Sequence, residues 1–122
     1  MRKTIMVIDD QSSTRRLLVH YLGNFFKVIE RPSAKDALEA LRSGARADAI
    51  VADIIMPEMS GIEFLHACRK EHAISLPPVI MLTSVENSSE KLKCFQSGAR
   101  DYMMKPFNPE ELRMRINNLL AN

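Results

Sequence analysis

Glycine is scarce in this chain: there are four in 122 residues, and none sits in a run that would wrap a phosphate with main-chain amides. That shortage excludes a nucleotide site built on a glycine-rich loop. Tryptophan is absent, and the only two cysteines, Cys68 and Cys94, lack metal-ligand spacing and fall in helical patterns. They read as buried free thiols. No charge sign dominates either, because 17 basic and 15 acidic residues are interspersed and leave a net charge of +2. So even a balance gives no electrostatic footprint for direct nucleic-acid binding or for an anionic membrane surface. No apolar run approaches the length of a membrane span. The opening "MRKTIMVIDD" holds a five-residue apolar stretch before two acids, too short for a signal-peptide core. The expected setting is the cytoplasm.

What is present is an ordinary globular composition, 46% apolar and 26% charged. The length suits a single domain over residues 1–122, with no repeat, low-complexity tract or linker. "TIMVI" (4–8), "AIVA" (49–52) and "PVIML" (78–82) are short and almost continuously apolar, as central parallel strands are when helices cover both faces of a sheet. "FFKVIE" (25–30) and "RDYMM" (100–104) are more mixed, as edge strands are. Helix patterns alternate with these strands. Ser33 with Asp36 resembles a capping box carrying a shorter acid, and Ser60 with Glu63 has the full form. Asn108-Pro109-Glu110-Glu111 supplies a cap, a first-turn proline and two acids at the positive end of the helix dipole. Leu17, Leu18, Tyr21 and Leu22 form a predicted core stripe on the first helix, and Leu112, Ile116, Leu119 and Leu120 one on the last. Five strands alternating with five helices predict an α/β doubly wound sheet with right-handed crossovers.

In such a sheet, ligands sit beyond the carboxyl ends of the strands. Those ends carry Asp9 and Asp10, then Asp53, then Thr83 and Ser84, then Lys105 followed by Pro106. Each has an ordinary structural role available. Asp10 can cap the helix that begins near Ser12, Asp53 can start a turn ahead of Pro57, Thr83 is a strand former, and Lys105 can be a solvated edge residue. Together they resist that account, because three carboxylates at neighbouring strand ends repel one another unless a cation neutralises them. Mg²⁺ prefers oxygen ligands and commonly pairs one or two carboxylates with phosphate oxygens. A lysine and a hydroxyl opposite suit a phosphoryl group, and an Asp carboxylate can attack phosphorus to form an acyl phosphate. The set reads as an aspartyl-phosphorylation site.

At these residues the chain resembles the receiver domains of bacterial two-component response regulators. The resemblance rests on "VIDD" with Asp9 and Asp10, "ADIIMPEMSG" with Asp53, Met56, Pro57 and Gly61, "MLTS" with Thr83 and Ser84, and "GARDYMMKPF" with Tyr102, Lys105, Pro106 and Phe107. It covers essentially the whole chain. It implies a flavodoxin-like sheet of order 2-1-3-4-5 and a phosphorylation-activated switch that is not an enzyme in its own right. Asp53 would accept the phosphoryl group from a sensor histidine kinase or a histidine phosphotransfer protein. Asp9, Asp10, Asp53 and the carbonyl of Ile55 would hold Mg²⁺. Thr83, Ser84 and Lys105 would bind the phosphoryl group, with a cis bond between Lys105 and Pro106. Thr83 and Tyr102 would form the switch; as an alternative, Tyr102 is an amphipathic edge residue with a wet hydroxyl.

Two positions that set the phosphate's lifetime in that family are apolar here, Ile55 and Val85. Neither can hold an attacking water, which predicts slow self-dephosphorylation. The face formed by the fourth helix, fifth strand and fifth helix would be the output surface and the site of a phosphorylation-dependent homodimer. Lys91 with Glu111 and Asp101 with Arg115 stand where crossed ion pairs would lie, while Gln96 and Arg100 depart from the pattern. Ser13, Arg16 and His20 on the first helix are the predicted kinase contacts. The chain stops after "INNLLAN", where a linker to an output domain would begin, so an excised receiver is expected over a stand-alone one. Two other readings compete. A phosphatase of the haloacid dehalogenase type needs a second Asp two residues after its nucleophile, where this chain has Ile55. A pseudo-receiver used only for protein contacts would not need the intact acids, Thr83 and Lys105.

Overall fold

The computed structural model of the chain describes residues 2–84 and 88–121. Val85 lies outside the described residues. Strands and helices alternate throughout: β1 (Thr4–Ile8), α1 (Ser12–Leu22), β2 (Lys27–Arg31), α2 (Ala34–Arg42), β3 (Ala49–Asp53), α3 (Gly61–Lys70), β4 (Val79–Thr83), α4 (Ser88–Gln96), β5 (Asp101–Met104) and α5 (Pro109–Leu120). The strands form one parallel sheet in the order β2-β1-β3-β4-β5. This is the flavodoxin-like doubly wound arrangement expected from the sequence.

Alternation along each strand divides the core in two. Met6, Ile8, Ile50, Ala52 and Met81 face Ala37, Leu38, Phe64, Leu65 and Cys94 of α2, α3 and α4. Ile5, Val7, Val51, Ile80 and Leu82 face Leu18, Leu22, Leu112 and Ile116 of α1 and α5. Every residue of β3 and β4 is buried, so a strand with no polar face ends in a carboxylate and its neighbour in a hydroxyl. Both cysteines are buried, and burial pushes each thiol up to about 11.

Helix ends follow their local chemistry. Ser60 and Glu63 form the complete reciprocal capping box, and Asn108 accepts the Glu111 N–H at 3.0 Å. Ser33 accepts the Asp36 N–H at 3.1 Å, but the shorter Asp36 carboxylate turns instead to Arg31 at 3.6 Å. Two expectations need correction. The second strand starts at Lys27, because the N–H groups of Phe25 and Phe26 both donate to the Leu22 carbonyl at the end of α1, and Lys27 is the first to donate toward β1, to the Lys3 carbonyl. Leu17 does not join the α1 stripe: Leu18 and Leu22 lie under the helix, and Leu17 is rotated 55% into solvent.

Candidate phosphoryl-acceptor site

The strand order reverses between β1 and β3, so their carboxyl ends open a crevice rather than a continuous edge. Asp9 follows β1 directly and is 1% exposed. Its Oδ1 accepts the Gln11 N–H at 2.9 Å, a turn that lifts α1 away from the strand end. Asp10, beside it, is exposed. The cap at α1 is therefore not Asp10; Gln11 holds that position and makes no side-chain capping bond.

Asp53 is the last residue of β3 and is 7% exposed. Its Oδ1 accepts the Ile55 N–H at 3.2 Å. Thr83 closes β4 and is fully buried, with Ser84 exposed immediately after it. The Thr83 carbonyl accepts the Lys105 N–H at 2.7 Å, extending the pairing of the two strands by one step beyond β5. That pairing carries Lys105 across β4 and β3, where Nζ lies 3.1 Å from Asp9 Oδ2 and 3.2 Å from Asp53 Oδ2. The Lys105–Pro106 bond is cis.

Asp9, Asp10 and Asp53 can each bring a carboxylate oxygen within 4.8 Å of the others, the one such cluster of potential ligands among the described residues. Burial is the largest influence on Asp53 and pushes its carboxyl above the usual range; Lys105 pulls it back, Asp9 adds to the rise, and the Ile55 N–H opposes it. Burial alone would lower Lys105, but the hydrogen bonds and charges of Asp9 and Asp53 outweigh it and raise the ammonium. One lysine serves two carboxylates, so the cluster keeps an excess of negative charge. An all-oxygen donor set with a charge deficit fits a hard divalent cation of the Mg²⁺ type and lacks the nitrogen or sulfur that zinc favours.

Ile55 is 54% exposed beside this cluster, so its side chain borders the mouth of the site. Tyr102 is 9% exposed within β5, its hydroxyl 3.9 Å from the Met104 sulfur and its ring 5.7 Å from Lys91 Nζ. It is thus largely buried although β5 is the edge of the sheet. Next to it, Lys91, Tyr102, Phe107, Glu111 and Arg115 help line a cavity of about 310 Å³ between α4, β5 and α5. Arg115 pairs within the chain, at 2.7 Å to Asp101 and 2.8 Å to Glu111.

The sequence reading missed Arg15 and Glu30. Arg15 Nη1 donates to the Asp9 carbonyl at 2.8 Å, and its Nε donates to Glu30 Oε1 at 2.9 Å. The signal was present in the one-turn spacing from Gln11 to Arg15 and in the parallel register of β1 with β2, which sets Val7 beside Glu30.

A family profile described as the response regulator receiver domain matches residues 5–117. The transcriptional regulatory protein SrrA of Staphylococcus aureus is 36% identical over 121 residues, covering 98% of this chain and 48% of that protein. Histidine kinase P4 of Formosa agariphila is 33% identical over 99% of this chain but only 9% of its own length. The chain thus spans about half or less of these curated relatives. Among solved structures, the chemotaxis protein CheY4 of Vibrio cholerae superposes with a TM-score of 0.88 at 30% identity, covering 98% of this chain and 99% of that one.

Proposed function

The chain belongs to the response regulator receiver family, the phosphorylation-dependent switches of two-component signalling, and on that premise we propose the residues through which it works. Asp53 is the phosphoryl acceptor. The observation that carries this assignment is Lys105 Nζ reaching Asp9 and Asp53 together, beside a three-carboxylate cluster. Asp9 shares the burial, the ammonium partner and the neighbouring acids, but it is 1% exposed against 7% for Asp53, which leaves Asp53 the more open of the two to an incoming phosphoryl group.

Asp9, Asp10, Asp53 and the Ile55 carbonyl hold Mg²⁺, which when bound supplies charge stabilisation to phosphoryl oxygens. The chain's own groups do the rest. An Asp53 carboxylate oxygen attacks the phosphorus of a phosphohistidine on a sensor kinase or a histidine phosphotransfer protein. The new P–O bond replaces the P–N bond, and the departing imidazole takes up a proton. The Ile55 N–H fixes one Asp53 oxygen, and Lys105 binds the incoming phosphoryl group as a point charge. Thr83 and Ser84 supply hydroxyls to the same group, and Thr83 with Tyr102 carries its arrival to the face of α4, β5 and α5.

That face controls an output domain or partner and forms a phosphorylation-dependent homodimer, in which Arg115 exchanges its own Asp101 for that of a second copy. Residues 1–122 act as one receiver domain in the cytoplasm, without binding nucleic acid directly. With the exposed Ile55 side chain offering no hydrogen bond to a water, the phosphorylated state is long-lived. Incubation with acetyl phosphate and Mg²⁺, followed by intact-mass measurement, tests the assignment. A labile gain of one phosphoryl group that disappears in Asp53→Ala supports it. Retention of the gain in that variant would overturn it. Turnover of a generic phosphate ester without modified protein would indicate the phosphatase instead.

A further inference from the structure

The loop carrying Asp9 and Asp10 is held from outside the acidic cluster by two residues of opposite charge. Arg15, on the second turn of α1, is 17% exposed along its side chain, and Glu30, near the end of β2, is 48% exposed. Arg15 Nη1 donates to the main-chain carbonyl of Asp9 at 2.8 Å, while its Nε donates to Glu30 Oε1 at 2.9 Å. The Asp9 main chain is also tied on its other side, where its N–H donates to the Arg31 carbonyl at 3.2 Å. Asp9 is thus fixed through both of its peptide groups, and only its carboxylate faces the cluster.

The charges matter as much as the bonds. A guanidinium bonded to the Asp9 carbonyl lies within one residue's length of the Asp9 carboxylate. Left alone, it would oppose any cation entering the cluster. Glu30 pairs with the guanidinium at 2.9 Å and offsets that charge, so Arg15 can orient the loop without repelling the ion. We infer that Arg15 and Glu30 are a paired positioning device for the cation site, Arg15 fixing the Asp9 main chain and Glu30 cancelling the charge that this would otherwise place beside the site. The inference rests on the cation-site reading above and adds to it two residues that touch neither ion nor phosphate.

Mg²⁺ alone, titrated calorimetrically into the full chain at low and high NaCl, is the test. Glu30→Gln keeps a hydrogen-bond acceptor for Arg15 but removes the compensating charge. Its Mg²⁺ affinity is expected to fall about five- to tenfold at low salt. The gap to the unmodified chain should narrow as salt screens the part-buried guanidinium through its solvent-facing side. The Arg15→Gln, Glu30→Gln double variant is neutral and has lost the clamp, so its affinity should fall by an amount that salt does not change. The melting temperature without Mg²⁺ separates these effects from a general loss of fold. A purely structural pair would lower that temperature and leave the salt-dependent gap absent. Unmodified protein that binds Mg²⁺ while Glu30→Gln binds equally well would overturn the clamp alone. Absence of saturable Mg²⁺ binding by the unmodified chain would overturn the cation-site reading, and the clamp with it.

Discussion

Adding one methyl group at Gly61 should damage the site more than any other change of that size. Gly61 opens α3 directly behind the acceptor strand, and its N–H donates to the Ile54 carbonyl at 2.8 Å. A Cβ built there would lie 2.5 Å from the Asp53 carbonyl oxygen, 3.0 Å from the Met81 sulfur and 3.1 Å from the Ile54 Cα. The Met81 side chain can rotate aside, but the other two atoms belong to the main chain of the strand end itself. Relief to ordinary contact distance needs a backbone shift of about 1 Å. Overpacking of this kind costs about 1–3 kcal/mol. For a domain of this size, that corresponds to a melting temperature lower by about 4–12 °C.

Because the atoms that must move carry Asp53, the loss should extend to chemistry. A misplacement of about 1 Å can reduce a positioned reaction roughly a hundredfold. Scanning calorimetry gives the first quantity, and the initial rate of mass gain from acetyl phosphate with Mg²⁺ gives the second. Gly44→Ala is the comparison. Gly44 has φ +97° and nothing within 4 Å of a built Cβ, so alanine there meets only backbone strain of about 1–2 kcal/mol, remote from the acids. It should lower the melting temperature while leaving the phosphorylation rate intact. Gly61→Ala with the melting temperature and rate of the unmodified chain would refute the reasoning, as would an equal loss of rate in Gly44→Ala.

Asp53→Asn should stabilise the Mg²⁺-free protein in a pH-dependent manner. The folded Asp53 carboxyl titrates above its unfolded counterpart at 3.8, so ionisation in the folded state is penalised. The two proteins should melt alike below that range, and the asparagine variant should pull ahead as pH rises through the folded value and then hold its lead; a lead that shrank with rising pH would contradict the burial argument. Ile55→Asn combined with Val85→Glu gives an attacking water polar partners and should shorten the phosphate half-life severalfold in a chase monitored by mass; an unchanged half-life would remove the case for those positions. Arg115→Glu places a third acid beside Asp101 and Glu111, so phosphorylation-dependent association, read by sedimentation, should be lost. The monomer should change little, since exposed pairs are worth roughly 0–1 kcal/mol, and association that survived would argue against that face.

The central strands were readable because parallel strands buried on both faces show as unbroken apolar runs, and each ends where its polar residue appears. Asp53 and Thr83 could therefore be assigned to strand ends from sequence alone, while Lys105 follows the mixed edge strand β5. The edge strands were blurred, since Phe25 and Phe26 look alike in a sequence and only packing distinguishes the buried ring from the exposed one. Leu17 was misjudged for a related reason: four apolar residues on α1 cover a wider arc than the helix buries, and the geometry of the sheet beneath selects Leu18 and Leu22. Arg15 and Glu30 are harder to read because their partnership joins a helix to a strand fifteen residues away, and the Arg15 contact with the site is to the main-chain carbonyl of Asp9.

Lys105 gives the site a definite electrical identity. Three carboxylates against one ammonium leave two negative charges, which one divalent ion would bring to electroneutrality. Turning a carboxylate into an acyl phosphate exchanges one negative charge for about two. Phosphorylation would then upset a balanced site by a single unit of charge, at an acceptor that is itself 7% exposed. An imbalance that small, felt at short range through low dielectric, is enough to draw neighbouring donors inward and yet weak enough for hydrolysis to erase.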